Sequence, residues 1–323
     1  MGYGLVDALE YINVFYVPEM RCLQLPSGLI CPGGWVVFAV FGCDNFSFWD
    51  EVLYNDSQKS YASTIRFEEV MGNGVSVYRN RPNQGDRYSS LVKLESKNDA
   101  DDASNTINSC VSYCLDRPSE KGSKDIKGVV AELHDNVWSH GKGTGISMAQ
   151  LYDHECDDNR FEFALADCGF GFLEELRRAN VPGVADLDDI DAIRKCIEKD
   201  FSTKNGNDRD EWAQRLPDDH IGRSPYSEGI DTFDEDNNHQ GLGLWKLVEL
   251  VKLYNGTLFL ASGDAIFIIK NGVEQSPLIG KINWKGVAVS CSFPLSLLSI
   301  NVGPPQVSKD VEDLIGGWDI VGD

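Results

Sequence analysis

Basic side chains are scarce in this chain: 29 Lys and Arg stand against 51 Asp and Glu, a net charge of −22 over 323 residues. That balance argues against a surface built to hold nucleic acid by counterion release, and it disfavours anionic membranes. Long apolar runs are also missing, and none approaches the ~20 residues that a membrane-crossing helix needs. The opening residues, Met1 to Asp7, lack the basic n-region of a signal peptide and the Ser or Thr of a myristoylation site. The expectation is a cytoplasmic protein with no membrane contact and no direct nucleic-acid contact. Cys-x-x-Cys pairs are absent too. The nine cysteines are odd in number and irregular in spacing, and only Cys110 and Cys114 stand as close as four apart, which excludes a regular disulfide framework. His154-Glu155-Cys156 lacks the downstream cysteine pair of a zinc deaminase. The glycine-rich turn Gly141-Lys142-Gly143-Thr144-Gly145 is not a Walker A loop, because no Gly-Lys-Ser/Thr closes a G-x-x-x-x-G frame.

What is present divides the chain at its polar stretches. Residues 1–98 read as an amino-terminal unit of mixed α/β character, rich in aromatics and short apolar runs. Trp35 to Phe41 is a continuous apolar run between Pro32-Gly33-Gly34 and Gly42, and its composition predicts a buried strand. Met71-Gly72-Asn73-Gly74 predicts a turn before a strand at Val75–Tyr78. The polar, acidic segment Asn98–Ser104 marks a boundary before a helix that ends near Leu115. Residues 99–298 then form the larger domain, and 299–323 an acidic tail with an apolar patch at Leu314, Ile315, Trp318 and Ile320. The amino-terminal unit suits sensing, partner binding or dimerisation, and the residues do not choose among these roles; the tail suits either a docking segment or one folded back onto the body.

Four segments of the larger domain carry chemistry. Ile126, Val129, Val130, Leu133 and Val137 recur at helical spacing, so Glu132, Asn136 and His140, four apart, share the polar stripe of the same helix. A carboxylate and an amide buried along that stripe would need a metal, water or ligand as partner. Two strands are predicted next, Ile146–Tyr152 and Phe161–Ala166. The second ends in Asp167-Cys168-Gly169-Phe170-Gly171, an acceptor beside backbone that a planar ligand can approach closely. Helical stretches at Phe172–Asn180 and Asp186–Asp200 lead to Ser202-Thr203-Lys204. Residues 205–240 follow, with ten acidic and three basic side chains, a connection of the length and composition of a lid or a disordered insertion, with the lid favoured by the glycine-rich segment that follows. Gln240-Gly241-Leu242-Gly243-Leu244 then opens a helix, whose amino-terminal N–H groups suit phosphate. Strands are predicted at Gly256–Ser262, Ala265–Lys270, Lys281–Trp284 and Val287–Phe293, with Asn271-Gly272 and Lys285-Gly286 as turn signals.

Taken in order, Glu-x-x-x-Asn on a helix, Asp-x-Gly-x-Gly after a strand and Gly-x-Gly-Leu opening a helix resemble the GHKL ATPase superfamily, which includes DNA gyrase, heat-shock chaperones, histidine kinases and MutL. The resemblance covers residues 125–295, with an N box at Glu132–His140, a G1 box at Asp167–Gly171 and a G2 box at Gln240–Leu244. It implies an α+β fold, a two-layer α/β sandwich of the Bergerat type, holding ATP and Mg²⁺ between helices and a mixed sheet. It further implies that Asn136 ligates Mg²⁺, that Asp167 accepts from the adenine amino group, and that Gly169 and Gly171 make room for the base. Gly241, Gly243 and Leu244 would present backbone amides to the phosphates. Thr203 and Lys204 match a segment that approaches the γ-phosphate in several members. His140 is a candidate for phosphate contact, with packing under the lid as the equal alternative, whereas His134 points to another face and reads as structural. The chain departs from the family in its last hairpin, where Gly286 is followed by Val287 rather than by threonine.

Glu132 selects among the members. Hydrolysing members carry a glutamate there as general base for water, and typical histidine kinases do not. The expectation is an Mg-ATP-dependent ATPase acting as a conformational switch for a protein partner, with homodimerisation open as in other members. The runner-up is a serine/threonine protein kinase resembling the anti-sigma-factor kinases, in which the same carboxylate activates a protein hydroxyl. A nucleotide-sensing interaction module with little turnover is the third reading.

Overall fold

The alternation of Phe161, Phe163 and Leu165 is realised in strand β5 (Arg160–Asp167), one of the inner strands of the main sheet. The computed structural model describes residues 2–15, 22–45, 51–72, 83–114, 121–137, 143–152, 159–199 and 243–299. In order, these hold α1 (Leu5–Phe15), β1 (Cys22–Gln24), α2 (Pro32–Asp44), β2 (Glu51–Leu53), α3 (Asp56–Thr64), α4 (Phe67–Val70), β3 (Val92–Leu94), α5 (Lys97–Cys114), α6 (Lys121–Asn136) and β4 (Gly145–Tyr152). After β5 come α7 (Phe172–Arg178), α8 (Asp189–Cys196), α9 (Gly243–Leu253), β6 (Thr257–Lys270), β7 (Val273–Glu274), β8 (Leu278–Pro294) and α10 (Leu295–Ser299). Among the described residues no helix is long and apolar enough to cross a membrane, and the eight described cysteines are free thiols.

The fold is mixed α/β, as expected for an α+β chain. The main sheet has six strands in the order β3-β4-β5-β8-β6-β7. Every neighbouring pair in it is antiparallel, which differs from the mixed sheet that the family resemblance implied. Because side chains alternate across a strand, the sheet feeds two cores. Phe161, Phe163, Leu165, Val289 and Cys291 pack with α5, α6 and α9. Ala164, Ala166, Ala288, Ile266 and Trp284 pack with α1 and α2 on the opposite face. The boundary near residue 98 therefore crosses a shared core, and β3, which precedes it, pairs with β4.

Trp35–Phe41 is the clearest correction: the run forms helix α2, not a strand. Trp35, Val36, Val37, Phe38, Ala39 and Val40 are all 1% exposed or less, and a helix that is apolar all round is one buried on all sides. Pro32 sits in its first turn, where the missing N–H costs nothing. The helix expected after Ser104 begins already at Lys97, with Ser96 Oγ accepting from Asp99 N at 3.3 Å. The acidic stretch taken as a boundary is its first turns, where carboxylates face the positive end of the helix dipole. The four short strands expected after residue 256 are two long ones. β6 passes Gly263 with a register shift at left-handed φ 61°. The second correction is Lys285-Gly286, which lies inside β8 and is no turn. Asn271-Gly272 does turn, with φ 49° and 73°, the backbone of a two-residue hairpin. The expected strand at 75–78 lies outside the described residues.

Candidate functional site

Helix α6 is built as its periodicity predicts. Ile126, Val129, Val130, Leu133 and Val137 are buried in the core beneath α5 and α9, which fixes the side from which Glu132 and Asn136 project. Glu132 is itself only 5% exposed, and Asn136 is half-buried. His134 is fully buried, its Nδ1 2.9 Å from Ser104 Oγ and its ring 5.7 Å from that of Phe163. Burial pushes its pKa down to about 3, the Ala100 backbone opposing only in part. The ring is thus neutral and structural, as its place on the helix predicts.

Helix α9 crosses this stripe at its first residue. A Cβ on Gly243 would lie 2.9 Å from Glu132 Oε2, 3.1 Å from Glu132 Cβ and 3.6 Å from Asn136 Nδ2. Glycine is what allows the amino terminus of α9 to touch both side chains. One turn later Lys246 places Nζ 2.5 Å from Glu132 Oε1, with the two side chains 20% and 6% exposed. Leu244 packs partly buried against the same core.

The Asp167–Gly171 segment follows at the end of β5. Asp167 ends β5 and is 4% exposed, with Oδ1 accepting from Gly169 N at 2.8 Å. Burial pushes its carboxyl up to about 7, while the N–H groups of Gly169 and Val287 pull it down. Gly286 presses on it from β8, so that a Cβ there would meet the Asp167 backbone carbonyl and stand 2.5 Å from Oδ1. A Cβ on Gly171 would come 2.6 Å from Ser262 Oγ, and that hydroxyl accepts from Phe172 N at 3.1 Å, capping the start of α7. A Cβ on Gly143 would fall 2.7 Å from Gly169 N. The link to α6 runs through Gly145, which pairs with Asp167 in the sheet and abuts Val137 Cγ1, one residue beyond Asn136.

The structure therefore brings Glu132, Asn136 and Gly243 together, with Leu244 next in the chain, and connects Asp167 to the end of α6 through Gly145. His140, Thr203, Lys204, Gly241 and the segment 205–240 lie outside the described residues, as does His154-Glu155-Cys156. Lys246, Ser262 and Gly286 are the site residues that sequence reasoning missed. Among the described residues no three His, Cys, Asp or Glu side chains gather as a cation site. Mg²⁺ does not require such a cage, since it is ordinarily held by one or two protein oxygens with phosphates and water. Asn136 has a side-chain oxygen to offer, and Gly243 at the start of α9 packs directly against it and Glu132. Comparison with protein-family models, curated proteins and solved structures returns no match.

Proposed function

We propose that this chain binds Mg-ATP between α6, α9 and the Asp167 end of the sheet, in a Bergerat-type arrangement, and hydrolyses it as a conformational switch for a protein partner. The observation that carries this reading is Gly243 seated on both Glu132 and Asn136. That contact joins a base, an oxygen ligand and a helix amino terminus, the set that phosphoryl transfer uses for proton removal, charge neutralisation and positioning.

Each residue then has a task. The Asp167 carboxylate accepts from the exocyclic amino group of adenine, and Gly169 and Gly171 let the base approach the backbone closely. The N–H groups at the start of α9 face the phosphates. In a chain of net charge −22, that local positive end offsets a field that would otherwise repel a triphosphate. The Glu132 carboxylate takes a proton from the attacking water as oxygen bonds to the γ-phosphorus and the bond to the β-phosphate oxygen breaks, leaving ADP and inorganic phosphate. Mg²⁺, held by Asn136 when bound, neutralises phosphate charge.

Calorimetric titration with Mg-ATP tests the binding step, with Asp167→Asn as comparison. Wild-type heat that is strongly reduced in the variant supports the reading, and no wild-type heat overturns it. Phosphate release separates the alternatives: steady release lowered on the order of 10²–10⁴-fold in Glu132→Gln supports hydrolysis, whereas label appearing on a partner's serine or threonine indicates kinase chemistry.

A further inference from the structure

Lys246 belongs to none of the three boxes, yet it makes the tightest polar contact in the group. Its ammonium lies 2.5 Å from Glu132 Oε1, and the two side chains are 20% and 6% exposed. The pair Arg194–Glu274, by contrast, is 50% and 47% exposed, and an ion pair of that kind contributes little. A mostly buried pair contributes little net stability either, because desolvating both charges consumes the Coulombic gain. Such a pair is better understood by what it does to one partner. Glu132 has its other carboxylate oxygen against Gly243, so its orientation is set from two sides by the first turns of α9.

We infer that Lys246 is the positioning residue for Glu132, holding the buried carboxylate aimed along the amino terminus of α9 so that it can accept the proton of the attacking nucleophile. Lys246 acts on turnover through Glu132 and not by binding nucleotide. Its flexible stem and three donors let it keep one bond to Oε1 through a small movement of α9. The inference rests on the ATPase reading above.

The test is a double-mutant cycle on the full chain, read as steady-state phosphate release together with the Mg-ATP dissociation constant from calorimetry. Lys246→Met is expected to lower kcat on the order of 10- to 100-fold, part of the 10²–10⁴ that a general base contributes. The dissociation constant should stay within about threefold of wild type, since little uniform binding is removed. Lys246→Gln, which keeps a donor without the charge, should show the same loss, and it carries the test if the methionine variant fails to fold. Lys246→Arg should recover part of the rate. In a Glu132→Gln background, Lys246→Met should cost nothing further. A wild-type rate in Lys246→Met or Lys246→Gln overturns the inference alone, as does an equal loss with and without Glu132. Failure of the wild-type protein to bind or turn over Mg-ATP removes the ATPase reading and the inference with it.

Discussion

Gly286 lies against Asp167 so closely that a methyl group at residue 286 would stand 2.5 Å from the carboxylate Oδ1 and press on the main-chain carbonyl of the same residue. The obstacle is largely backbone inside an antiparallel sheet, which cannot turn aside as the end of a flexible side chain could. Gly286→Ala should therefore destabilise the fold by about 1–3 kcal/mol, as overpacking does. Chemical denaturation checks this, and an unchanged midpoint would show that β8 can move away from β5. Where the variant stays folded, Mg-ATP affinity should fall as well, because Asp167 is the group displaced.

The Asp167 carboxyl gives stability a defined pH dependence. Its folded value, about 7, lies above the unfolded 3.8, so between these limits the folded state keeps a proton that the unfolded state has lost. Stability contributed by this group is present below about pH 4, declines as pH rises toward 7 and is gone above it. The full shift corresponds to about 4 kcal/mol, and Asp167→Asn should remove most of that slope. Urea unfolding of both proteins at several pH values reads the difference directly. If nucleotide binding uses the ionised form, titration at pH 7 will also release protons, visible as calorimetric heats that scale with buffer ionisation enthalpy.

His134 acts in the opposite sense. Its folded value is depressed to about 3, below the ordinary 6.5 of an unfolded histidine, so the unfolded chain gains a proton that the folded chain refuses. Its contribution is intact above about pH 6.5 and is lost as pH falls toward 3. In NMR spectra the His134 ring should remain neutral throughout pH 5–8. A ring that titrates near 6.5 would mean that the seat between Ser104 and Phe163 is open to water.

The sequence exposes the site more readily than the scaffold around it, and the reason is periodicity. Glu132 and Asn136 are four apart on a helix whose apolar face recurs cleanly, and Phe161, Phe163 and Leu165 alternate up to Asp167. Both patterns survive in α6 and β5. Trp35–Phe41 has no period at all, so composition alone fits a buried strand or a buried helix. Only its surroundings choose: Gly34 must accept the Tyr3 carbonyl where a Cβ would lie 2.6 Å away, a contact between elements that no local pattern encodes. Lys285-Gly286 fails differently, because a glycine needed for close approach reads the same as one needed for a turn. Lys246 is invisible for a third reason: its partner stands 114 residues away.

Glu162 ties the sheet to helix α2. It lies in the middle of β5, 8% exposed, and its Oε1 accepts from Gly33 N at 3.0 Å and from Ser290 Oγ at 2.8 Å. Gly33 is in the first turn of α2, so one carboxylate satisfies an otherwise unpaired N–H of that helix and faces its positive end. Burial pushes the carboxyl up, while the bonds from Gly33, Ser290 and Tyr152 pull it down. Glu162→Gln keeps an acceptor oxygen in place and should cost about 1 kcal/mol or less. Glu162→Ala leaves the Gly33 donor unsatisfied beside a cavity and should cost about 2–4 kcal/mol. Denaturant titration of the two variants measures the gap between them. Equal losses would mean that α2 is held to the sheet by Trp35, Phe38 and their apolar neighbours alone, and that the carboxylate contributes no more than its bulk.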